Sequence, residues 1–291
     1  MRALVTGAAG QLGIEVLRTA PSSFDVVGLS HRDCDITDPA QVDAAMAIHR
    51  PDVVINTAAY TDVDAAEGAA DRAHAVNAAG AGNVALSAEL RGARIIHIST
   101  DYVFDGNSRE PYRPQSQPNP LNVYGASKLA GETEVQRSSS RFLIIRSSWL
   151  YASHARNFLR TMLSALQSGR DLRVVNDQTG VPTAARSLAL TIWECAARPE
   201  LGGIHHWVDG GTASWYDFAT TIQEIARLQH LVGKQVTITP ISWKEYGAPA
   251  LRPSYSVLDT HSLSRALGLQ SRPWESWLAE ILGETRDVPP R

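Results

Sequence analysis

The chain has 291 residues, 44% of them hydrophobic and 20% charged, enough to bury a sizeable core in one large or two coupled domains. A net charge of -3 argues against nucleic acid or an anionic membrane surface as partner, and no apolar run approaches membrane length. Cys34 and Cys195 lie far apart and make neither a disulfide framework nor a metal-ligand spacing; with glycines reached by position 7, too early for a signal peptide, a reduced, cytoplasmic compartment is expected.

Arg2 to Thr6 reads as a short buried strand running directly into Gly7-Ala8-Ala9-Gly10-Gln11-Leu12-Gly13. A Gly-x-x-Gly-x-x-Gly loop between a strand and an amphipathic helix (Gln11 to Thr19) is the context that a dinucleotide fingerprint requires. Gly7 makes the tight turn, Gly10 lets the backbone approach a pyrophosphate, Gly13 lets helix and strand pack closely, and the NH groups at Gln11 and Leu12 face the phosphates. Phe24 to Leu29 is the second strand. It ends in Ser30-His31-Arg32-Asp33, where Arg32 is positioned to accept a 2′-phosphate; this favours NADPH, with NADH as the alternative. Asp38 as cap and Pro39 at the first helical position start a helix running to about His49, placing Asp35 and Ile36 over the adenine edge. Strand Val53 to Asn56 delivers Thr57-Ala58-Ala59-Tyr60-Thr61, small residues that let the backbone approach a cofactor. A long alanine-rich helix is expected over Asp71 to Leu90. The alternation of strands and helices argues a doubly wound parallel α/β sheet, a Rossmann fold.

Strand Arg94 to Thr100 ends in Ser99-Thr100-Asp101-Tyr102, and after a proline-rich loop Tyr124 and Lys128 stand four apart at the start of a helix, hence on one face of it. The chain has only three lysines, so this spacing is expected by chance about 0.08 times. A free phenol, with a pKa near ~10, holds its proton too firmly for acid/base work at neutral pH. A neighbouring ammonium lowers that value; a shift of roughly three units corresponds to about 4 kcal/mol. Thr100 is placed to hydrogen-bond the same substrate oxygen.

Phe142 to Ser147 continues the sheet, with Trp149 just past its carboxyl end, where a ring can cover a sugar or base or simply fill a core. Further on come helix Asn157 to Leu166, strand Leu172 to Val175, the polar loop Asn176 to Thr183 as a candidate ligand reader, helix Ala184 to Ala197 and strand Ile204 to Val208. His205 and His206 in that strand face opposite ways and cannot chelate one ion, so no metal ligands are assigned from the residues. Ser214 with Asp217 caps a helix to about Leu228; strand Val236 to Pro240, two short helices ending near Leu267 and Leu282, and a tail with Pro289-Pro290 follow. Arg252 is the candidate in this half for a fork onto a diphosphate, a salt bridge being the alternative.

These residues resemble the extended short-chain dehydrogenase/reductases and, within them, the dTDP-4-dehydrorhamnose reductase family. The likeness rests on Gly7-x-x-Gly10-Gln-x-Gly13, Asp35-Ile36, Asn56 to Thr61, Ser99 to Phe104, Asn122-Val-Tyr-Gly-x-x-Lys128, Arg146 to Trp149, Asn176 to Gln178 and Arg252-Pro253. It implies that residues 1-151 form the dinucleotide-binding domain, with some later segments returning to it, and that 152-291 are mainly a sugar-nucleotide substrate domain. It implies Thr100, Tyr124 and Lys128 as catalytic, Asp101, Tyr102, Trp149 and Arg252 on the sugar nucleotide, and NAD(P)H-dependent reduction of the C4 ketone of dTDP-4-dehydro-6-deoxy-L-mannose to dTDP-L-rhamnose. Lys128 would both lower the Tyr124 pKa and hold the nicotinamide ribose. Magnesium is implied as an optional ion between subunits, through a glutamate matching Glu15, with its other ligands unassigned; a homodimer is allowed. Thr100-Asp101-Tyr102 lacks the second acid that sugar-nucleotide dehydratases carry, and Ser99-Thr100 stands where epimerases carry Ser-Ser. Two alternatives stay open: a 4-ketoreductase for another dTDP-6-deoxyhexose, and a non-catalytic regulatory subunit similar to the beta subunit of methionine adenosyltransferase.

Overall fold

A computed structural model describes residues 1–285; the Pro289-Pro290 tail lies outside the described residues. Six parallel strands form the central sheet, in the spatial order Gly203–His206, Phe142–Ser147, Arg94–Thr100, Val53–Asn56, Arg2–Thr6 and Asp25–Leu29. The four inner strands are covered on both faces, and side-chain alternation sorts their residues into two cores. Val5, Ile55, Ile96 and Ile145 pack against Leu12, Val16, Leu188 and Ile192, on helices Gln11–Arg18 and Ala185–Ala196. Leu4, Val54, Ile95 and Ile144 pack on the opposite side against Val42, Met46, Val84 and Val135, from Pro39–His49, Ala81–Leu90 and Val123–Ser138. This is the doubly wound α/β sheet expected from the sequence.

The edge strand Gly203–His206 and helix Ala185–Ala196 come from the second half of the chain yet complete the first half's sheet and core. The remainder of that half has its own core, built on Tyr151, Leu163, Phe218, Ile222, Trp274 and Leu278. Parallel pairing of Leu172–Val175 with Ile238–Ile241 supports it. The expected caps are present: Asp38 accepts from the backbone of Ala40 and Gln41, and Ser214 and Asp217 form a reciprocal capping box. His206 faces the Tyr112 carbonyl and His205 faces Ser262, on opposite sides of the strand.

One expected element differs. The helix expected over Asp71 to Leu90 is α-helical at Ala70–His74 and Ala81–Leu90, but Ala75–Gly80 between them is a π-helix. The wide turn lets Asn77 serve two masters: it accepts from Tyr60 N at 2.8 Å, and its amide donates to Tyr60 O at 3.0 Å and to Ser127 Oγ at 2.9 Å. Gly131 faces this segment so closely that a Cβ there would lie 2.0 Å from the Asn77 carbonyl oxygen.

Candidate active site

The strands point their carboxyl ends at a crevice made of three adjoining cavities. The first, about 400 Å³, is lined by Gly7, Gly10, Asp35, Ile36 and the Ala58-Ala59-Tyr60 run. Gly7 has φ +71°, and a Cβ on it would lie 2.6 Å from the Ala58 backbone; a Cβ on Gly13 would lie 2.4 Å from the Gly7 carbonyl oxygen. Only glycine allows this packing, and the cradle it leaves fits a dinucleotide pyrophosphate. The helix Gln11–Arg18 begins at Gly10 with no side chain capping it, so its first NH groups face the crevice. Asp35 accepts from Thr37 N and Oγ1, bonds that hold its carboxyl below the usual range. Arg32 is exposed on the loop after the second strand and outside this lining, whereas His31 and Arg72 belong to it. Arg72, unmarked in the sequence, lies 5.7 Å from the Tyr60 ring centroid.

The second cavity, about 380 Å³, shares Gly10, Thr57 and Ala59 with the first. Thr100, Tyr102, Tyr124, Lys128 and Trp149 line it together with Gln11, Leu12 and Thr61. Asn122 caps the helix that carries Tyr124, accepting from Gly125 N at 2.7 Å and donating to Leu251 O at 2.7 Å. A Cβ at Gly125 would fall 2.1 Å from the Tyr102 carbonyl oxygen, so the helix start presses onto the turn that follows Thr100. Lys128 is 2% exposed; its Nζ donates to Ile98 O at 2.7 Å. Burial lowers its pKa to about 8, against the opposing charge of Glu132. Glu132 is held by Arg146 through a two-pronged pair at 2.6 and 2.8 Å and accepts from Ser99 Oγ at 2.5 Å, a buried set beneath the acid/base pair.

The phenol departs from expectation. Burial pushes Tyr124 up to about 12, partly offset by the Thr100 hydroxyl and reinforced by Asp101. The ammonium, tied to a carbonyl, does not bring the phenol down; desolvation wins. Asp101 sits behind Thr100, accepts its hydroxyl at 3.0 Å, and is pushed up to about 7 by burial, against hydrogen bonds that include Ser256 and Thr100.

The third cavity, about 550 Å³, adjoins the second through Thr61, Arg156, Asn157 and Trp215. Arg252 lines it, but not as an open fork: Asp64 accepts both of its terminal nitrogens, at 2.8 and 2.9 Å, and its guanidinium lies 4.9 Å from the Trp243 ring centroid. The partner, far earlier in the chain at the start of a short helix, is what the sequence reading missed. Trp149, at φ +46°, stacks on Trp215 at 3.6 Å and 8°, so one face of the expected sugar cover is taken by another indole. The 176–183 loop contributes by holding rings: Gln178 accepts from Trp215 Nε1 at 3.1 Å and Asp177 from Trp243 N at 2.8 Å. Arg156 and Trp215 carry no motif that marks them.

A larger hollow, about 750 Å³, lies at the opposite, amino ends of the strands. Arg94 there donates to the carbonyls of Cys195 and Arg198, and Arg91 to Asp43; no pair like Tyr124 and Lys128 lines it.

The family described as RmlD substrate binding domain matches residues 1–286. The chain belongs to this family. Among RmlD relatives, the dTDP-4-dehydrorhamnose reductase of Salmonella typhimurium is 36% identical over 296 residues, covering 98% of each chain. A probable dTDP-4,6-dihydroxy-2-methyloxan-3-one 4-ketoreductase of Streptomyces antibioticus is 40% identical over 285 residues, covering 96% of this chain and 94% of the relative. The crystal structure of dTDP-4-dehydrorhamnose reductase from Bacillus anthracis in complex with NADP superimposes with a TM-score of 0.92 at 37% identity, covering 98% of this chain and 99% of that one.

Proposed function

We propose that this chain is a dTDP-4-dehydrorhamnose reductase, reducing the C4 ketone of dTDP-4-dehydro-6-deoxy-L-mannose to dTDP-L-rhamnose with NADPH. The observation that carries the reading is one cavity that gathers Thr100, Tyr124 and Lys128 and opens directly onto the glycine loop. The NADP-bound relative of near-identical fold supports the choice of cofactor. In this reading residues 1–151 hold mainly the dinucleotide and 152–291 mainly the sugar nucleotide.

The crevice lined by Gly7, Gly10, Gln11 and Thr61 would hold the nicotinamide dinucleotide, which would supply the hydride for the ketone carbon. A phenol raised to about 12 is fully protonated at neutral pH, so Tyr124 enters a reduction as an acid with its proton in place. Thr100 is the hydroxyl next to the oxygen on which charge develops; its single proton, given to Asp101 at 3.0 Å here, turns to that oxygen when the sugar is bound. Lys128, cationic below about pH 8 and moored to the Ile98 carbonyl, sets a positive charge in the wall of this cavity, where it would hold the nicotinamide ribose. The sugar's nucleotide extends into the third cavity, where Arg156, Trp215 and Trp243 offer charge and ring faces, and Arg252 serves through its contact with Tyr102 and Asp64.

A second reading keeps the chemistry and changes the sugar, and the 40% identity to a 4-ketoreductase of another dTDP-sugar favours considering it. The test is hydride transfer from NADPH to each purified dTDP-4-keto sugar, with the product's C4 configuration read by NMR. NADPH oxidation by the isolated chain with formation of dTDP-L-rhamnose is the expected result. Oxidation with a different 4-keto sugar alone would favour the second reading, and none with any would remove both.

A further inference from the structure

Glu15 is a carboxylate sealed inside the molecule, 1% exposed, two residues beyond the last glycine of the loop. Its Oε1 accepts from His154 Nε2 at 2.7 Å and from Arg18 Nη1 at 3.2 Å, and its Oε2 accepts from Arg186 Nε at 3.1 Å. Arg186 continues outward from helix Ala185–Ala196 to the last helix, where Nη1 and Nη2 both bond Glu284 and Glu280 lies 3.7 Å away. Burial would raise the Glu15 carboxyl, but the His154 bond and the Arg186 charge carry it below its ordinary value.

Glu15 is the residue that the resemblance links to magnesium, and its surroundings do not fit that ion. Magnesium demands near-octahedral oxygen ligands at about 2.0–2.1 Å and is bound through carboxylates left open to it. Here both Glu15 oxygens already accept from cationic or imidazole donors, and a guanidinium fills the space between Glu15 and Glu284. Among the described residues no three acidic, histidine or cysteine side chains converge into a metal-holding group.

We infer that Arg186 is a built-in substitute for a divalent cation: its planar fork neutralises and cross-links Glu15 and Glu284 within the chain, making the stability of this fold independent of magnesium. The geometry suits arginine, whose fixed charge and several donors can bridge two carboxylates at once. The link has a structural reach. It ties the helix behind the glycine loop to helix Ala185–Ala196 and to the final helix, and beside it Asn157 donates to Gln11 Oε1 at 2.7 Å. An ordinary surface salt bridge would be screened and weak, but Arg186 is 17% exposed and Glu15 is buried.

The test is thermal unfolding of the full-length protein in EDTA and in millimolar magnesium chloride, with tryptophan-sensitised terbium luminescence as a direct probe of a cation site. The wild type is expected to unfold at the same temperature in both solutions and to give no saturable terbium signal. Arg186→Gln is expected to lower the midpoint by several degrees in both solutions, and Arg186→Lys, which keeps the charge, to recover part of the loss. Arg186→Glu adds a third carboxylate beside Glu15 and Glu284 and is expected to acquire terbium binding and a magnesium-dependent midpoint. A wild type stabilised by magnesium, or one that takes up terbium saturably, would overturn the inference even if every variant failed to fold; an Arg186→Gln midpoint equal to that of the wild type would overturn the cross-link.

Discussion

Lys128 donates to the carbonyl of Ile98, two residues before Thr100, so the cation of the acid/base pair is moored to the strand that delivers the hydroxyl. This mooring fixes the ammonium's position through the backbone of the sheet and leaves its remaining protons directed elsewhere. Because burial lowers Lys128 to about 8, its charge is present below that pH and lost above it. kcat/KM is therefore expected to decline as pH rises through about 8, and Lys128→Met should abolish that limb while reducing the plateau. A wild-type profile flat across this range would remove the charge of Lys128 from the rate.

Tyr124→Phe keeps the ring against Tyr102, whose centroid is 6.0 Å away, and removes only the hydroxyl. The expected outcome is NADPH affinity within a few-fold of wild type, by fluorescence titration, with kcat lower by about 10² to 10⁴, the range for losing a general acid. Turnover unchanged by the substitution would assign the proton to another donor.

Arg32 is exposed beside an acid, Asp33, that is already engaged: Ser30 N and Oγ donate to its carboxylate and hold its pKa below the usual range. With Asp33 committed to its own turn and Asp35 accepting from Thr37, Arg32 is left as a cation for a 2′-phosphate. Arg32→Ala is expected to raise Kd for NADPH by about tenfold, the scale of one charge-assisted hydrogen bond, with little change for NADH. Equal losses for both dinucleotides, measured by isothermal titration, would show that Arg32 does not discriminate between them.

Asp101 supplies a stability prediction. Its folded pKa, about 7, lies above the ordinary 3.8, so the protonated acid is the form that the fold prefers. That stabilisation is complete below about pH 4 and is lost as pH climbs through about 7. Asp101→Asn imitates the protonated acid, so relative to wild type it should be near neutral in urea unfolding at pH 4 and stabilising at pH 8, by an amount on the order of 4 kcal/mol at most. A difference independent of pH would contradict the buried, proton-holding environment.

What the sequence made legible is local. The glycine loop, the Tyr124 and Lys128 spacing, the Asp38 and Ser214 caps and the buried strands all depend on neighbours a few residues apart, and each appears where its chemistry puts it. What it hid is long-range choice. Nothing near Arg252 announces that Asp64, 188 positions earlier, takes its fork, nor near Trp149 that Trp215 lies flat against it. The phenol's pKa is hidden for the same reason: charge spacing along a helix is visible in a string of letters, whereas depth below the surface is not. Arg186 carries no motif at all, and its role emerges only where three helices meet.

The wide turn at Ala75–Gly80 makes the residue count of that helix a functional quantity. Removing one residue there would return the segment to the ordinary winding and leave the flanking helices nearly in place, because the wide turn is what absorbs the extra residue. The Asn77 carboxamide would leave Tyr60 and Ser127 without touching any residue of the acid/base pair. A gap of one in this stretch should thus silence the protein at a distance, by unclasping the wall of the dinucleotide crevice from the helix that bears the proton donor.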